Sequence, residues 1–298
     1  MGTKIYLSST GAPVDPEHAR ISVFDRGFLY GDSVYETMRT AGGQPVELDR
    51  HLARLHRSAA GIGLGIPWDD AVLGDAISMT HRAADNDESY VRVIVTRGVG
   101  PLMLDPRRSE DPSLVIIVQP LVVPTEDAYR RGLAVVIVGL TKTHGGLMDP
   151  AIKSGNYLGS ILALRQAIAE GGDDAIMCTA AGEIAEGATS NVFFVRDGAL
   201  RTPDLQAGLL AGITREIVCE LATELGLPVQ TARVWPDELR CADEVFLTSS
   251  VRGIMPVARL DGRAVGTGQQ GPVTASLRAR YDAYIAAYGR LAPPETAG

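Results

Sequence analysis

The order of strand-like and helix-like segments constrains the fold of this chain more than any other feature. Apolar runs of strand length dominate the first 120 residues, with two amphipathic helical stretches between them. After the proline-containing stretch 120–125, strand and helix patterns intermix to the end of the chain. The sequence therefore predicts an α+β fold with a smaller N-terminal α/β domain (1–120), an interdomain linker (121–132) and a larger mixed C-terminal domain (133–298).

The individual segments follow ordinary strand and helix signals. Predicted strands are Lys4–Ser8, Ala19–Val23, Val34–Arg39, Tyr90–Arg97, Leu114–Val118, Leu133–Leu140, Ala175–Thr179, Asn191–Val195, Val229–Val234 and Glu244–Thr248. Predicted helices are one capped by Asp49, one from Pro67 to about Ala84, one after Tyr157, one from Gly212 to Leu225 and one from Pro272 to Tyr288. The Gly-, Pro- and charge-rich segment Gly98–Asp111 is predicted to be a surface loop.

Composition excludes several classes of partner. The net charge is −8, from 28 basic and 36 acidic residues, and no run of lysine and arginine exceeds a pair. Nucleic acid and anionic membranes are therefore not expected to bind. The longest apolar runs have strand length, and the N-terminus lacks a signal-peptide pattern. Three widely spaced cysteines argue against a disulfide framework, so we expect a cytoplasmic protein.

Common catalytic and cofactor motifs are either missing or out of context. The segment Gly266–Gly271 matches the dinucleotide pattern GxGxxG, but no βαβ unit surrounds it. The sequence contains neither a phosphate-binding P-loop motif nor a GxSxG nucleophile elbow. The five histidines, at positions 18, 51, 56, 81 and 144, share no metal-ligand spacing, so no metal site is predicted.

One lysine stands between a short extended segment and a helical apolar pattern. Lys153 is followed by Ser-Gly-Asn, and Tyr157 lies four residues further along the chain. The helical pattern then places Leu158, Ile161 and Leu162 at helical spacing. This arrangement has two interpretations, a solvated lysine at a turn or a Schiff-base lysine that faces a cleft.

Two further segments carry groups that an electron-sink cofactor requires. Glu186 precedes a Gly-Ala-Thr-Ser turn and an apolar strand, where a carboxylate either caps the turn or keeps a pyridine nitrogen protonated. The glycine-rich segment Ala207–Glu216 opens a helix. There the backbone amides of Ile213 and Thr214 would form either an anion site or an ordinary helix start.

A cluster of hydroxyl groups completes this set. Thr248, Ser249 and Ser250 follow an apolar strand, where hydroxyls serve turn chemistry or, together with an arginine such as Arg54, bind phosphate. Lysine, carboxylate, helix start, hydroxyls and arginine are together the groups that pyridoxal 5'-phosphate requires.

The chain resembles the class IV, fold-type IV pyridoxal-phosphate enzymes. This family includes branched-chain and D-amino acid aminotransferases, (R)-selective amine transaminases and aminodeoxychorismate lyase. The resemblance covers residues 4–285 and rests on DRGFLYGDSVYETMR, RHLARL, SYVRVIVTRG, IKSGNYL, GEIAEGATSNVFFV, LLAGITRE, ADEVFLTSS and GIMPV, in family order. It implies a two-domain fold with the cofactor cleft between the domains, and a homodimer whose active sites borrow loops from the partner.

The resemblance also implies a role for each matching residue. Lys153 would form the Schiff base and shuttle the Cα proton of the substrate, and Glu186 would hold the pyridinium proton. Tyr157 would bind the phenolic oxygen of the cofactor. The phosphate would be held by Arg54, the amides of Ile213 and Thr214, and Ser250.

The residues that distinguish the subgroups of this family do not all indicate the same subgroup. Tyr90-Val-Arg92 looks like the branched-chain enzymes, whereas Thr37 and the Lys153–Tyr157 spacing look like other members. The Arg-x-His carboxylate trap of D-amino acid transaminases is replaced by Leu102-Met103-Leu104. An apolar loop over the site would favour a hydrophobic side chain. Candidates to bind the substrate carboxylate are Tyr35, Tyr90 and Arg92, with Arg107 and Arg108 as second choices.

We therefore predict an aminotransferase that moves an amino group between an aliphatic or branched-chain amino acid and a 2-oxo acid such as 2-oxoglutarate. The alternatives within the family are a D-amino acid or (R)-amine transaminase and an aminodeoxychorismate lyase. A protein that kept the fold and lost the cofactor is the alternative of another class.

Overall fold

A computed structural model describes residues 1–109, 111–142 and 149–291. Glu110 of the predicted loop, His144 and the end of the predicted C-terminal domain lie outside these ranges. The backbone contacts divide the chain into two compact units. The first comprises Met1–Val122, Ile152–Asn156 and Tyr284–Gly298, and the second comprises Val123–Ala151 and Tyr157–Ala283. The domain limits at residues 120 and 133 stay a prediction.

The first unit is built on a six-stranded antiparallel sheet. Its strands are β1 (Lys4–Leu7), β2 (Ala12–Val14), β3 (Ser33–Ala41), β4 (Gln44–Pro45), β5 (Ser89–Thr96) and β6 (Ser113–Pro120). Their spatial order is β2-β1-β6-β5-β3-β4. Its helices are α1 (Arg26–Tyr30), α2 (Leu48–Gly61) and α3 (Asp70–Ala84).

One face of this sheet carries the core of the first unit. Alternate residues of β3, β5 and β6 are fully buried against α2 and α3, because successive side chains of a strand point to opposite faces. Leu55 and Leu73 supply the helical side of this core, and each is fully buried. Burial of one such leucine contributes about 1.5–3 kcal/mol. The opposite face of the sheet carries the polar candidates for substrate binding.

Three local predictions for the first unit are wrong. Ala19–Val23 forms no strand, and Ile21 and Val23 are 53% and 65% exposed, so no neighbouring strand supplies the half-buried surface on which β-propensity depends. Helix α2 begins after Glu47, which has a left-handed backbone (φ 56°), so Asp49 lies inside the first turn and is not the cap. Helix α3 is capped by Asp69 and begins at Asp70, not at Pro67, because the Asp69 carboxylate accepts from the Val72 N–H.

The second unit is built on a nine-stranded mixed sheet. Its strands are β7 (Leu133–Lys142), β8 (Asp174–Thr179), β9 (Ile184–Gly187), β10 (Asn191–Arg196), β11 (Ala199–Pro203), β12 (Val229–Ala232), β13 (Glu244–Ser249), β14 (Gly253–Leu260) and β15 (Arg263–Ala264). The order is β12-β11-β10-β13-β14-β7-β8-β9, and β15 pairs with β14. Its helices are α4 (Glu126–Arg131), α5 (Leu158–Ala169), α6 (Ile213–Glu224), α7 (Pro236–Arg240) and α8 (Pro272–Leu291), the last continuing into the first unit.

Helix α5 packs on the sheet of the second unit through small residues. Ala163 and Ala167 are fully buried beside β7 and β8. Leu158 and Ile161, part of the apolar pattern that predicted this helix, are 67% and 60% exposed. Within the described ranges, no helix combines the length and apolar character that crossing a bilayer requires.

Candidate active site

Lys153 is fixed by backbone hydrogen bonds within the first unit. Its N–H donates to Ser58 Oγ at 3.1 Å, and its carbonyl accepts from the Tyr35 N–H at 3.0 Å. The next residue, Ser154, forms an antiparallel bridge with Val34 of β3. A single bridge therefore joins this segment to β3, and two backbone groups hold the position from which the lysine side chain projects.

The ring of Tyr35 lies beside two cationic groups. Lys153 Nζ is 4.6 Å and Arg92 Cζ is 4.1 Å from the ring centroid. Arg92 Nε is buried and has no hydrogen-bond partner among the residues that the structure describes. A buried donor of this kind is costly unless another group accepts from it, so this cluster suits an anionic ligand.

The substrate-binding candidates of β3 and β5 share one face of the sheet. The strands pair so that Thr37 lies opposite Arg92, and Arg39 lies opposite Tyr90. Tyr35 is two residues from Thr37 and therefore points to the same side. The structure thus brings Lys153, Tyr35 and Arg92 together and places Tyr90 on the same sheet face.

The opposite face of β3 contains a buried carboxylate that the sequence analysis missed. Glu36 is fully buried, and its two oxygens accept from Arg54 Nε and Nη2, each at 2.7 Å. His51 Nδ1 lies 2.7 Å from Glu36 Oε2. The sequence did contain a signal for this cluster. Glu36 interrupts the apolar core positions of β3, and His51 and Arg54 are three residues apart on α2, which places them on one face of the helix.

This arrangement determines the charges of the three groups. Burial acts to raise the pKa of Glu36, but the hydrogen bonds from Arg54 and His51 outweigh it and lower the pKa to about 2. Burial lowers the pKa of His51, against the opposing effect of Glu36. We therefore assign an ionised Glu36, a charged Arg54 and a neutral His51 at pH 7. The phosphate role of Arg54 stays a proposal, and Glu36 fixes the orientation of its guanidinium.

We expect Glu36→Gln to destabilise the protein at neutral pH and less so in acid. The pKa of Glu36 is about 2 in the folded chain against an ordinary 4.5, a difference worth on the order of 3 kcal/mol. Because the folded pKa is lowered, this stability is present above pH 4.5 and is lost as the pH falls toward 2. Urea unfolding at pH 7 and pH 3 measures the gap between the variant and the wild type.

The control for this prediction is Glu17→Gln, at an exposed carboxylate. It should unfold like the wild type at both pH values. A gap for Glu36→Gln that is small at pH 7, or equal at pH 7 and pH 3, would contradict the assigned charges.

Glu186 is the carboxylate of the candidate site in the second unit. It lies on β9 and is 8% exposed. Its Oε2 accepts from the Leu210 N–H at 2.9 Å and from Asn191 Nδ2 at 3.4 Å. These donors fix the orientation of the carboxylate.

The start of α6 forms the second element of this site. Gly212 is its N-cap, and no side chain of the described ranges caps the helix. Ile213 and Thr214, the first two residues of the helix, are 5% and 4% exposed. Backbone amides at an uncapped helix start, assisted by the helix dipole, form an anion site.

The remaining cofactor candidates also belong to the second unit. Ser250 lies in the turn after β13, and Tyr157 is the N-cap of α5. Thr248 is 2% exposed, and its Oγ1 has no hydrogen-bond partner within the described part of the chain. The residues present fit pyridoxal phosphate. The uncapped, buried helix start suits its phosphate, the oriented carboxylate suits its ring nitrogen, and the hydroxyls suit its phosphate and its phenolic oxygen.

Known proteins are similar to this chain over most of its length. The family model described as amino-transferase class IV matches residues 33–260. The chain is 37% identical over 278 residues to a protein of Methanocaldococcus jannaschii, provisionally named a branched-chain-amino-acid aminotransferase, and the match covers 93% of this chain and 95% of that one. It is 33% identical over 266 residues to a D-alanine aminotransferase of Listeria monocytogenes, covering 89% and 90% of the two chains.

A solved structure shares the whole fold. The T.th. branched-chain amino acid aminotransferase, crystallised with pyridoxamine 5'-phosphate, superposes with a TM-score of 0.91 at 31% identity, covering 97% of this chain and 95% of that chain. The chain therefore belongs to the class IV aminotransferase family. The predicted fold-type IV architecture and the predicted aminotransferase class are confirmed.

Proposed function

We propose that this aminotransferase uses pyridoxal 5'-phosphate and exchanges amino groups between an aliphatic or branched-chain L-amino acid and a 2-oxo acid such as 2-oxoglutarate. When bound, the cofactor supplies a carbonyl that condenses with amines and a ring that accepts electrons from the substrate Cα. Support for the cofactor comes from the residue set described above and from the pyridoxamine 5'-phosphate in the T.th. enzyme.

Each candidate residue of the site has a defined role in this proposal. Lys153 removes the proton from the substrate Cα and returns it, which requires its amine in the neutral form. Glu186 keeps a proton on the ring nitrogen, which makes the ring a better electron acceptor. Tyr157 donates to the phenolic oxygen. The phosphate is held by Arg54, the amides of Ile213 and Thr214, and Ser250.

The observation that carries the substrate class is the placement of Lys153 and Arg92 beside Tyr35. An α-amino acid carries an amino group and a carboxylate on one carbon atom. The chain offers a lysine for chemistry at the amino-bearing carbon. Across one aromatic ring it offers an arginine whose buried Nε–H has no partner in the described part of the chain. Arg92, assisted by Tyr35 and Tyr90, therefore binds the carboxylate through charge-assisted hydrogen bonds.

The side chain and handedness of the substrate rest on the relatives. The Methanocaldococcus relative and the T.th. enzyme carry branched-chain names, which supports an aliphatic amino acid. The T.th. enzyme was also crystallised with N-(5'-phosphopyridoxyl)-L-glutamate, which supports the L form. The Listeria relative is named for D-alanine and is nearly as similar, so D-amino acid transfer is the second candidate function. Each methylene group added to a substrate side chain strengthens its binding in an aliphatic pocket by a few kcal/mol at most.

A homodimer in the cytoplasm is the proposed working form. Exposed apolar side chains in the first unit support association of two copies, among them Phe28, Leu102 and Leu104 at 66%, 68% and 76% exposure. Cys178, Cys219 and Cys241 are all unpaired, which supports a reducing compartment.

A single-substrate screen tests the proposed function. Purified protein loaded with pyridoxal phosphate is mixed with L-leucine, D-alanine or (R)-1-phenylethylamine, and the visible absorbance of the cofactor is followed. We expect L-leucine to convert the cofactor at least about tenfold faster than the other two. D-alanine lacks the branched aliphatic side chain, and (R)-1-phenylethylamine lacks the carboxylate that Arg92 would bind.

The other outcomes each reject a part of the proposal. Faster conversion by D-alanine or by the amine would replace the branched-chain assignment. Release of pyruvate from aminodeoxychorismate, without transfer from leucine, would make the protein a lyase. Protein that gains no visible chromophore after pyridoxal phosphate is added would disprove the cofactor.

A further inference from the structure

Asn191 connects the carboxylate of Glu186 to the segment that begins α6. It is the first residue of β10 and is 5% exposed. Its Nδ2 donates to the Leu210 carbonyl at 2.9 Å and lies 3.4 Å from Glu186 Oε2. Because the Leu210 N–H donates to the same carboxylate oxygen at 2.9 Å, these three residues form a closed hydrogen-bonded group.

The other end of the Asn191 side chain lies against Gly212. A Cβ at position 212 would approach Asn191 Oδ1 to 1.9 Å, so a larger residue there would have to displace the Asn191 amide. Gly212 has φ −76°, which any residue adopts, so the close approach alone requires glycine here. The Asn191 amide therefore contacts Glu186 with its nitrogen and the N-cap of α6 with its oxygen.

A neutral amide suits this place for an electrostatic reason. The amide nitrogen of Asn191 donates to Glu186 Oε2 without adding a charge beside the carboxylate. A carboxylate at position 191 would have no N–H to donate to Glu186 and would repel it.

Resting on the proposed function, we propose that Asn191 is a positioning residue for the ring-nitrogen partner of the cofactor. It holds the Glu186 carboxylate in one orientation relative to the start of α6, and Gly212 is required because it leaves room for the amide. Asn191 itself does not touch the reacting atoms.

The test compares two ligands that differ only at the ring nitrogen. They are pyridoxal 5'-phosphate and its 1-deaza analogue, in which C–H replaces the nitrogen. Their dissociation constants are measured by fluorescence titration for the wild type and Asn191→Asp. We expect Asn191→Asp to weaken pyridoxal phosphate about tenfold and the analogue less than about twofold, because only the former has an N–H for Glu186 to hold.

A matched control and a second variant sharpen the result. Asn86 is a buried asparagine of the first unit, 8% exposed, that donates to the Gly2 carbonyl and Ser89 Oγ. Asn86→Asp should leave the ratio of the two affinities unchanged. Gly212→Ala displaces the Asn191 amide and should reproduce the selective loss, with folding of every variant checked by circular dichroism.

The remaining outcomes overturn the inference. Equal weakening of both ligands, or no weakening, would give Asn191 a purely structural role, and so would failure of both Asn191→Asp and Gly212→Ala to fold. If the wild-type protein binds no pyridoxal phosphate, the proposed function itself fails. Wild-type binding with an unchanged ratio in the variants removes the Asn191 inference alone.

Discussion

Replacing Lys153 with alanine should reduce transamination by at least about 10³-fold while leaving the protein folded, because the proposed roles of its amine are those of nucleophile and base. The backbone groups of residue 153, which bond Ser58 and Tyr35, are unchanged by this substitution. The side chain adds a contact with the buried Tyr35 ring, which contributes on the order of 1–2 kcal/mol. Steady-state turnover with L-leucine measures the loss, and circular dichroism verifies the fold.

The chain offers a simple control for this experiment, because it contains only three lysines, Lys4, Lys142 and Lys153. Lys4 pairs with Asp15 near the N-terminus, and Lys4→Ala should retain wild-type turnover. Borohydride reduction of the cofactor-loaded protein, followed by peptide mass mapping, should place the cofactor on Lys153. A Lys153→Ala variant with wild-type rates, or attachment at another lysine, would remove Lys153 from the mechanism.

Replacing Arg92 with alanine should raise KM for L-leucine by about 10–100-fold, because a charge-assisted hydrogen bond to a carboxylate contributes about 1.5–3 kcal/mol. The same substitution should leave the reaction of isopentylamine, which is leucine without its carboxylate, within about twofold of wild type. Half-reaction rates against substrate concentration give both values. Equal effects on leucine and on the amine would show that Arg92 is structural.

Arg107→Ala serves as the comparison for Arg92→Ala. Arg107 is exposed and ion-paired with Asp105. As the second choice for the carboxylate, it should leave KM for leucine unchanged if Arg92 binds that group. A larger KM effect at Arg107 than at Arg92 would exchange the two assignments.

Much of the fold was predictable, because long periodic segments carry a strong signal. Most of the predicted strands, and the starts or ends of most helices, lie within a few residues of those in the structure. Short elements without a clear period, such as β9, β11 and α1, were missed. Ala19–Val23 has a strand-like composition and no strand beside it, which only the tertiary structure determines.

The sequence could indicate candidate site residues where they belong to a local sequence motif. Lys153, Glu186 and the start of α6 each belong to a local motif, and α6 begins within one residue of its predicted start. Glu186 lies on β9, a strand that was not predicted. Groups that act across long sequence separations were missed. Glu36 meets Arg54 through the packing of a strand on a helix, and the Asn191–Gly212 contact joins residues from different elements.

The division of the chain has a consequence for folding during synthesis. The first unit needs Ile152–Asn156, which leaves the ribosome only after Val123–Ala151, and it also includes residues from Tyr284 onward. A nascent chain that ends at Val122 therefore lacks the carbonyl of Lys153 that the Tyr35 N–H requires, and the Tyr284 hydroxyl that bonds Glu47. Because domains otherwise fold in N-to-C order as they emerge, the last part of this unit must wait for the rest of the polypeptide. The backbone of Lys153 thus reaches its fixed position only after about half of the 298 residues have been synthesised.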